Sequence, residues 1–470
     1  MANDQKLNKV TPEVLRKLRE IVGEEHAKTD EEALRKYASD ETEDFVFPPD
    51  VVVFPSSTEE VSRVMILASQ HGIPVTPRGG GTGLSGGALP IRGGIVLSME
   101  RLNRILEIDA DNLIAVVEPG VITQELQETV EKIGLYYPPD PASRGTSRLG
   151  GNLAECAGGP HAVKYGVTKD YVLGIQAVLP DGTVIHHGGK LLKNSTGYNL
   201  TQLIVGSEGT LAVITKIFLK LLPLPKHRSM LLVPFPTLEA AARTVPALMN
   251  AGITPSALEF MERDAVKIAE KHLGVSVPNS DAAAQLIIEL DGDDETVIQK
   301  TAEQVCKIAL DQGAIDVLVA QSSARQNEIW AMRRATGEAV KSVSVYKEED
   351  TVVPRYNLVP LLVGVKAIAL RHAITTVCYG HAGDGNLHVN ILKMDMKDED
   401  WNEKLHVAIR EIFELTVSLG GTISGEHGIG YSQKRYLPLA FSPEEILLMK
   451  RIKQTFDPSG ILNPGKIFPD

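Results

Sequence analysis

The stretch that decides the fold is residues 78–87, which read Arg-Gly-Gly-Gly-Thr-Gly-Leu-Ser-Gly-Gly, with six glycines in ten positions. Short apolar runs flank it at residues 73–77 and 94–99, and each run is typical of a β-strand. Glycine lets main-chain N–H groups converge on an anion without a Cβ in the way. The sequence therefore predicts a pyrophosphate cradle between two strands, and a mobile glycine-rich surface loop is the alternative.

Two other phosphate-binding loops are excluded by the residues on the C-terminal side of these glycines. A Rossmann loop opens directly into a helix, and a P-loop ends in Gly-Lys-Ser or Gly-Lys-Thr. Residues 88–99 contain neither feature. A nucleotide-binding role for this loop would therefore require another class of fold.

The composition is that of a soluble globular enzyme, with 43% hydrophobic and 23% charged residues among 470. The net charge is −12 and no basic stripe occurs, so nucleic acid is not an expected partner. The three cysteines, Cys156, Cys306 and Cys378, form no CxxC pair. We therefore expect a reduced, cytoplasmic setting and no thiolate-ligated iron–sulfur cluster in this chain.

Neither a leader nor a membrane anchor is expected from the hydropathy of the chain. Residues 1–6 lead into no apolar signal core. The longest apolar stretch, residues 358–370, is interrupted by Pro360 and Lys366. It is too short and too polar to span a bilayer.

A second constellation lies in residues 374–392, where two β-type runs flank Asp384-Gly385. A two-residue turn there predicts that His381 faces His388, with Cβ atoms about 5 Å apart, and Asn390 shares the face of His388. Glu426, which is framed by glycines in residues 425–428, is the candidate third ligand. The pattern predicts a catalytic divalent-metal site for zinc, manganese or ferrous iron. Ordinary polar residues beside a turn are the alternative.

Six motifs in this order resemble one family. They are residues 77–87, 139–143, 150–152, 206–215, 381–388 and 425–428. Together they are similar to the FAD-linked D-2-hydroxyacid dehydrogenases of the vanillyl-alcohol oxidase/p-cresol methylhydroxylase (PCMH) superfamily. The resemblance extends over residues 40–470.

The resemblance implies an α+β fold, with a two-subdomain PCMH-type FAD-binding domain and a cap domain that combines an antiparallel sheet with helices. We expect four segments along the chain. They are an N-terminal helical segment (1–39), the FAD-binding domain (40–225), the substrate or cap domain (226–425) and a segment that returns to the FAD domain (426–470).

The resemblance also implies roles for individual residues. The FAD-binding residues would be Arg78, Gly79, Gly80, Gly81, Thr82, Gly83, Leu84, Ser85, Gly86, Gly87, Pro141, Ser143, Gly150, Asn152 and Ile214. The metal ligands would be His381, His388 and Glu426; the catalytic and substrate-site residues would be His427, Arg333, Lys347 and Asn390. Because the glycine loop contains no histidine, FAD is expected to be bound non-covalently.

The implied activity is the oxidation of a D-2-hydroxy acid to the 2-oxo acid. D-lactate or glycolate is favoured, because the spacing of Arg333 and Thr336 departs by one residue from the hydroxyglutarate enzymes of the family. A D-2-hydroxyglutarate dehydrogenase and an oxygen-using oxidase are the alternatives. Since the chain has no cluster ligands, we expect electrons to pass to a separate protein, either an electron-transferring flavoprotein or an iron–sulfur subunit.

Overall fold

The computed structural model describes residues 7–43 and 45–470. Residues 1–6, for which the sequence predicts no apolar signal core, lie outside the described residues. The strands, in chain order, are β1 Ala27–Lys28, β2 Val51–Val53, β3 Val75–Arg78, β4 Ile95–Ser98, β5 Ile105–Asp109, β6 Ile114–Val117, β7 Leu135–Tyr136, β8 Val172–Val178, β9 Val184–Gly188, β10 Val213–Lys220, β11 Leu222–Pro223, β12 His227–Phe235, β13 Ala257–Glu262, β14 Ala284–Gly292, β15 Leu318–Ala320, β16 Tyr346–Val352, β17 Thr375–Gly380 and β18 Asn386–Leu392.

The α-helices are α1 Pro12–Val22, α2 Glu31–Lys36, α3 Thr58–His71, α4 Thr123–Glu131, α5 Leu149–Glu155, α6 Ala162–Tyr165, α7 Leu200–Ile204, α8 Leu238–Asn250, α9 Arg263–Leu273, α10 Glu295–Asp311, α11 Ser323–Lys341, α12 Leu358–His372, α13 Asp398–Ser418, α14 Leu437–Ala440 and α15 Pro443–Phe456. Helix α3 shows why its ends fall where they do. The Ser57 side chain accepts a hydrogen bond from Glu60 N–H, and Gly72 ends the helix in the left-handed conformation.

The chain divides into two compact units. The first comprises the described residues up to Ala157 together with Val167–Leu224 and Glu426–Asp470, and the second comprises Gly158–Gly166 and Pro225–Gly425. The sequence pattern did not indicate that Gly158–Gly166 clusters with the second unit. We describe each unit by itself.

The first unit contains two larger sheets with helices against them. One sheet has the order β1-β2-β4-β3, with β4 parallel to both β2 and β3, and the other has the antiparallel order β5-β6-β10-β8-β9. Helices α1 and α3 bury Leu18 and Met65 in a core that also contains Leu462. The C-terminal segment joins β3, because Asn463 N–H donates to the Val75 carbonyl at 2.7 Å.

The second unit is built on one seven-stranded sheet with the order β15-β12-β14-β13-β17-β18-β16. Every pairing in it is antiparallel, as expected for the cap domain. Its central strands β13 and β14 are buried almost along their whole length and carry several acidic residues. Among residues 7–43 and 45–470, no helix combines the length and apolar character needed to cross a bilayer.

Candidate active site

The glycine loop lines an open cavity of the first unit, with about 1360 Å³ of unfilled space. This space includes solvent at the open mouth of the cavity. The predicted FAD-binding residues that line it are Arg78, Gly79, Gly80, Gly81, Thr82, Gly83, Leu84, Gly87, Pro141, Ser143, Gly150, Asn152 and Ile214. The two exceptions, Ser85 and Gly86, lie outside the lining. The Ser85 carbonyl instead accepts hydrogen bonds from Tyr431 N–H and Ser432 N–H.

Several glycines are required by close packing of the loop. A Cβ on Gly80 would lie 2.7 Å from the Thr146 carbonyl oxygen, and one on Gly87 would lie 2.7 Å from Glu155 Oε1. Gly81 has φ +72°, which disfavours other residues. The loop is therefore a shaped cradle, and the alternative of a loose surface loop does not hold.

The cradle also presents a cation suited to an anionic ligand. Arg78 ends β3, is 8% exposed, and has an Nη1 atom without a hydrogen-bond partner among the described residues. Its guanidinium lies 5.2 Å from the ring centroid of Tyr37. A buried unpaired N–H group is costly, and a pyrophosphate oxygen would satisfy it. The residues present therefore fit the pyrophosphate of FAD.

Two acidic residues that the sequence patterns did not single out, Glu155 and Glu208, line the same cavity. Glu208 accepts hydrogen bonds from Ile429 N–H at 2.9 Å and Gly430 N–H at 2.6 Å. Burial, together with the negative charge of Glu208, raises the pKa of Glu155 well above its usual range. Burial also raises the pKa of Glu208, although the two N–H groups partly lower it. The glycine-framed residues 206–209, which resemble residues 425–428, were the available signal for Glu208.

The predicted base His427 and its neighbour Glu426 lie in this cavity as well. Both side chains are 17% exposed, and His427 Nε2 lies 3.7 Å from Glu426 Oε1. Glu208 holds the two residues that come after Gly428, so it restrains the backbone that carries His427. The cavity thus combines an anion cradle with an accessible imidazole.

In the second unit, the hairpin that carries His381 and His388 differs from the prediction. His388 pairs with Tyr379 across β17 and β18, not with His381. The two-residue turn is wrong because Ala382–Asp384 form a 3₁₀ turn that Gly385 ends in the left-handed conformation. His381 begins this turn, and its carbonyl accepts from Asp384 N–H and Asn386 N–H.

The longer turn nevertheless brings the two imidazoles together. Their ring centroids lie 5.3 Å apart, and a ring nitrogen of each lies within 4.8 Å of the other. His381 and His388 are 6% and 4% exposed. Glu348 Oε1 lies 3.3 Å from His388 Nδ1. Two adjacent imidazoles beside a carboxylate are a donor set that fits zinc, manganese or ferrous iron. Glu426 belongs to the first unit, so its part in this ligand set stays a prediction.

A buried carboxylate that the sequence patterns missed, Glu259, lies behind His381. Its oxygens lie 2.8 and 2.9 Å from His381 Nδ1, and Oε2 lies 2.7 Å from Arg333 Nη2. Burial opposes its ionisation, but the charges of His381 and Arg333 outweigh burial and hold the pKa of Glu259 below its usual value. No local motif marks Glu259, because its partners are remote in sequence.

The three predicted substrate-site residues of the second unit lie in different environments. Arg333, on α11, is 5% exposed and paired with Glu259. Lys347 is half-buried on β16, and Asn390 is fully buried on β18, next to the neighbouring strand β17. Lys347 and Asn390 thus lie on strands of one sheet. Arg333 lies on a helix, and its guanidinium pairs with Glu259 of β13.

Comparison with known proteins gives consistent results. A model of the FAD-binding domain matches residues 49–188, and a model of the C-terminal domain of FAD-linked oxidases matches residues 224–467. A glycolate oxidase subunit, GlcD, of Bacillus subtilis (strain 168) is 41% identical over 463 residues, covering 98% of this chain and 97% of the relative. A D-lactate dehydrogenase of Anaerostipes hadrus is 39% identical over 472 residues, covering 99% of each chain.

The fold itself is similar to a solved structure of p-cresol methylhydroxylase with substrate bound. The TM-score is 0.81 at 17% identity, and the match covers 98% of both chains. This likeness concerns the fold alone. With the two family models, it confirms the α+β fold of PCMH type and the binding of FAD that the sequence motifs predicted.

Proposed function

Because the chain belongs to the family of FAD-linked D-2-hydroxyacid dehydrogenases, we propose that it oxidises a short D-2-hydroxy acid to the 2-oxo acid. D-lactate and glycolate are the proposed substrates, in accord with the names of the two relatives. The observation that carries the proposal is that His427 lines the same cavity as the glycine cradle of residues 79–87. The proposed proton acceptor is therefore a side chain of the cavity that fits the cofactor.

The proposed roles of the side chains depend on these positions. When bound in the cradle, FAD would supply the acceptor of the C2 hydride. His427 would accept the proton of the substrate hydroxyl, since an imidazole titrates near neutral pH. Lys347 and Arg333 would contact the substrate carboxylate, and Asn390 would orient the substrate.

The proposed metal site uses His381 and His388, with Glu426 as the expected third ligand. A divalent cation held there would acidify the substrate hydroxyl and orient the acid. The supporting observation is the pair of buried imidazoles with ring centroids 5.3 Å apart. Loss of turnover on chelation, restored by Zn²⁺ or Mn²⁺ while FAD stays bound, is the expected result.

The test of the substrate is anaerobic reduction of the flavin. We expect D-lactate or glycolate to bleach the flavin absorbance near its visible maximum, with L-lactate as the matched control. Reduction by L-lactate and not by D-lactate would overturn the stereochemical assignment. Faster reduction by D-2-hydroxyglutarate than by D-lactate would favour the alternative substrate.

We propose that a separate protein takes the electrons, either an electron-transferring flavoprotein or an iron–sulfur subunit. The relative of Bacillus subtilis is named as a subunit, which supports a partner. Exposure of the reduced enzyme to air distinguishes the alternatives. Slow reoxidation supports a protein acceptor, whereas rapid reoxidation with stoichiometric peroxide identifies an oxidase.

Non-covalent attachment of FAD has its own test. The proposal depends on the absence of histidine and cysteine from residues 78–87. Acid precipitation should leave the flavin in the supernatant at one FAD per chain. Flavin that pellets with the protein would show that a covalent bond forms elsewhere.

A further inference from the structure

We propose that Glu259 is a positioning residue that orients the metal-ligating ring of His381 and is itself held by Arg333. This inference rests on the metal site proposed above. It assigns Arg333 a structural task within the second unit in addition to the proposed contact with substrate. The three residues form one buried group, with exposed fractions of 0%, 5% and 6% for Glu259, Arg333 and His381.

The geometry determines which nitrogen of His381 carries the proton that faces Glu259. A carboxylate only accepts hydrogen bonds, so a ring nitrogen within 2.8 and 2.9 Å of both Glu259 oxygens must carry the proton. That nitrogen is Nδ1. In the neutral ring Nε2 then carries the lone pair, and a metal binds through that lone pair with loss of any proton on Nε2. A carboxylate behind a metal-ligating histidine fixes the ring orientation and raises its basicity.

Arg333 makes this arrangement possible in a buried place. An isolated carboxylate with no exposed surface would carry a large desolvation cost. The guanidinium at 2.7 Å from Glu259 Oε2 neutralises that charge. The same guanidinium lies 5.0 Å from the ring centroid of Tyr379, whose ring lies 5.4 Å from that of His388. Arg333 therefore supports both imidazoles, one through Glu259 and one through Tyr379.

Strand β13 supplies a matched control for Glu259. Glu262 is on the same strand, is 4% exposed, and pairs with Lys366 at 2.7 Å. It also accepts a hydrogen bond from Cys378 N–H. Glu259→Gln and Glu262→Gln therefore remove a buried, cation-paired carboxylate from one strand by the same chemical change. Of these two carboxylates, Glu259 is the one that contacts a histidine of the proposed metal site.

The experiment is a metal titration of the FAD-loaded full chain, with Mn²⁺ followed by the electron paramagnetic resonance of the free ion and Zn²⁺ by competition. We expect Glu259→Gln to weaken metal binding by about 10–100-fold and Glu262→Gln to leave it unchanged. Thermal unfolding of both variants shows whether each remains folded at the temperature of the titration. If both do, a loss of metal affinity confined to Glu259→Gln cannot come from general destabilisation.

Equal metal affinity in Glu259→Gln and wild type would overturn the inference while leaving the metal site intact. Failure of the wild-type chain to bind either ion would instead overturn the metal site and the inference with it. If the uncompensated charge of Arg333 prevents Glu259→Gln from folding, the double variant Glu259→Gln/Arg333→Met restores charge balance. The same weakening of metal binding is expected in it, and unchanged affinity there would again contradict the role of Glu259.

Discussion

The candidate sites of the two units are built from different parts of the chain. In the first unit, main-chain atoms of glycine-rich loops shape the cavity, and the Glu208 carboxylate is bound by the N–H groups of Ile429 and Gly430. In the second unit, side chains of opposite charge on helix and strands are paired, as Glu259 is with Arg333. Buried carboxylates respond to this difference in opposite directions, since the pKa of Glu208 is raised and that of Glu259 is lowered.

The difference shows how the free-energy cost of burying an ionised carboxylate depends on its partners. Backbone N–H groups are dipoles that offset desolvation only in part, whereas a full positive charge nearby can exceed it. Glu155 and Glu208 of the first unit therefore favour the protonated form, whereas Glu259 and Glu289 of the second unit favour the ionised form. Substitutions in each unit can test whether the two sites are independent and whether their electrostatics differ in this way.

The largest expected effect is that of His388→Ala on metal binding. The substitution removes one of the two buried imidazoles of the second unit and should abolish metal binding and most turnover. FAD should remain bound, because the glycine cradle belongs to the first unit. Metal content by atomic spectroscopy and the ratio of flavin to protein absorbance measure the two outcomes. Full activity without metal would contradict the metal site.

His427→Ala should have the converse effect of His388→Ala, with turnover lost and metal largely retained. The imidazole lies in the cavity of the first unit, so its loss should lower turnover by about 10²–10⁴-fold, as expected for a general base. Much of the metal and all of the FAD should be retained. Steady-state rates across pH 6–9 measure the effect. A variant that keeps the wild-type rate and pH profile would show that another group accepts the proton.

Substitution by glutamine should change the free energy of unfolding in opposite directions at Glu289 and Glu155. Burial opposes ionisation of Glu289, but His161, Arg228 and Trp330 beside it lower its pKa from 4.5 to about 2. The stability contributed by this lowered pKa is present above pH 4.5 and is lost as the pH falls towards 2. It corresponds to about 3 kcal/mol, which Glu289→Gln should remove at pH 7.

For Glu155 the sign is reversed. Its raised pKa means that protonation favours the folded state, so that contribution is present below pH 4.5 and is lost as the pH rises through the folded-state pKa. Glu155→Gln mimics the protonated form and should be at least as stable as wild type at pH 8. Urea unfolding of the apoproteins between pH 5 and 8 measures both variants. If Glu155→Gln were less stable than wild type at pH 8, the raised pKa of Glu155, and with it the contrast between the two units, would be contradicted.

The smallest expected effect concerns Gly151, which lines the cavity on α5. A Cβ there would meet no protein atom within 4 Å, so Gly151→Ala should leave the apoprotein as stable or up to about 1 kcal/mol more stable. The added methyl group should cost about 1–3 kcal/mol of FAD binding, as overpacking does. Gly80→Ala, whose Cβ would collide with the Thr146 carbonyl, should lower both the stability of the apoprotein and its affinity for FAD. FAD titration of apoproteins distinguishes the two, and wild-type affinity in Gly151→Ala would place the flavin elsewhere.

Much of the first unit could be predicted from local sequence. The cradle depends on glycines that neighbour one another, and its conformation depends on φ values that only glycine adopts easily. The strands β3 and β4 were anticipated from the short apolar runs that flank the loop. The return of residues 426–470, which brings His427 to the cavity, was expected only from the family resemblance, since these residues lie more than 300 positions after the loop.

The hairpin of the second unit shows how a correct residue pair can rest on a wrong local geometry. Asp384-Gly385 suggested a two-residue turn, but Gly385 ends a 3₁₀ turn and moves His381 out of register with His388. The two rings are still neighbours, with centroids 5.3 Å apart. Sequence patterns report turn residues reliably, but they do not report loop length.

By itself, the sequence determined the FAD cradle and the neighbouring histidines of the second unit, because each is encoded by residues close together in the chain. The order of six such local motifs determined the family. Only the tertiary structure decided which charges meet. Glu259 lies 122 positions before His381, and Glu208 lies 222 positions before Gly430. Such contacts depend on strand order and chain return, and the energy of a buried charge depends on the partner that this arrangement brings to it.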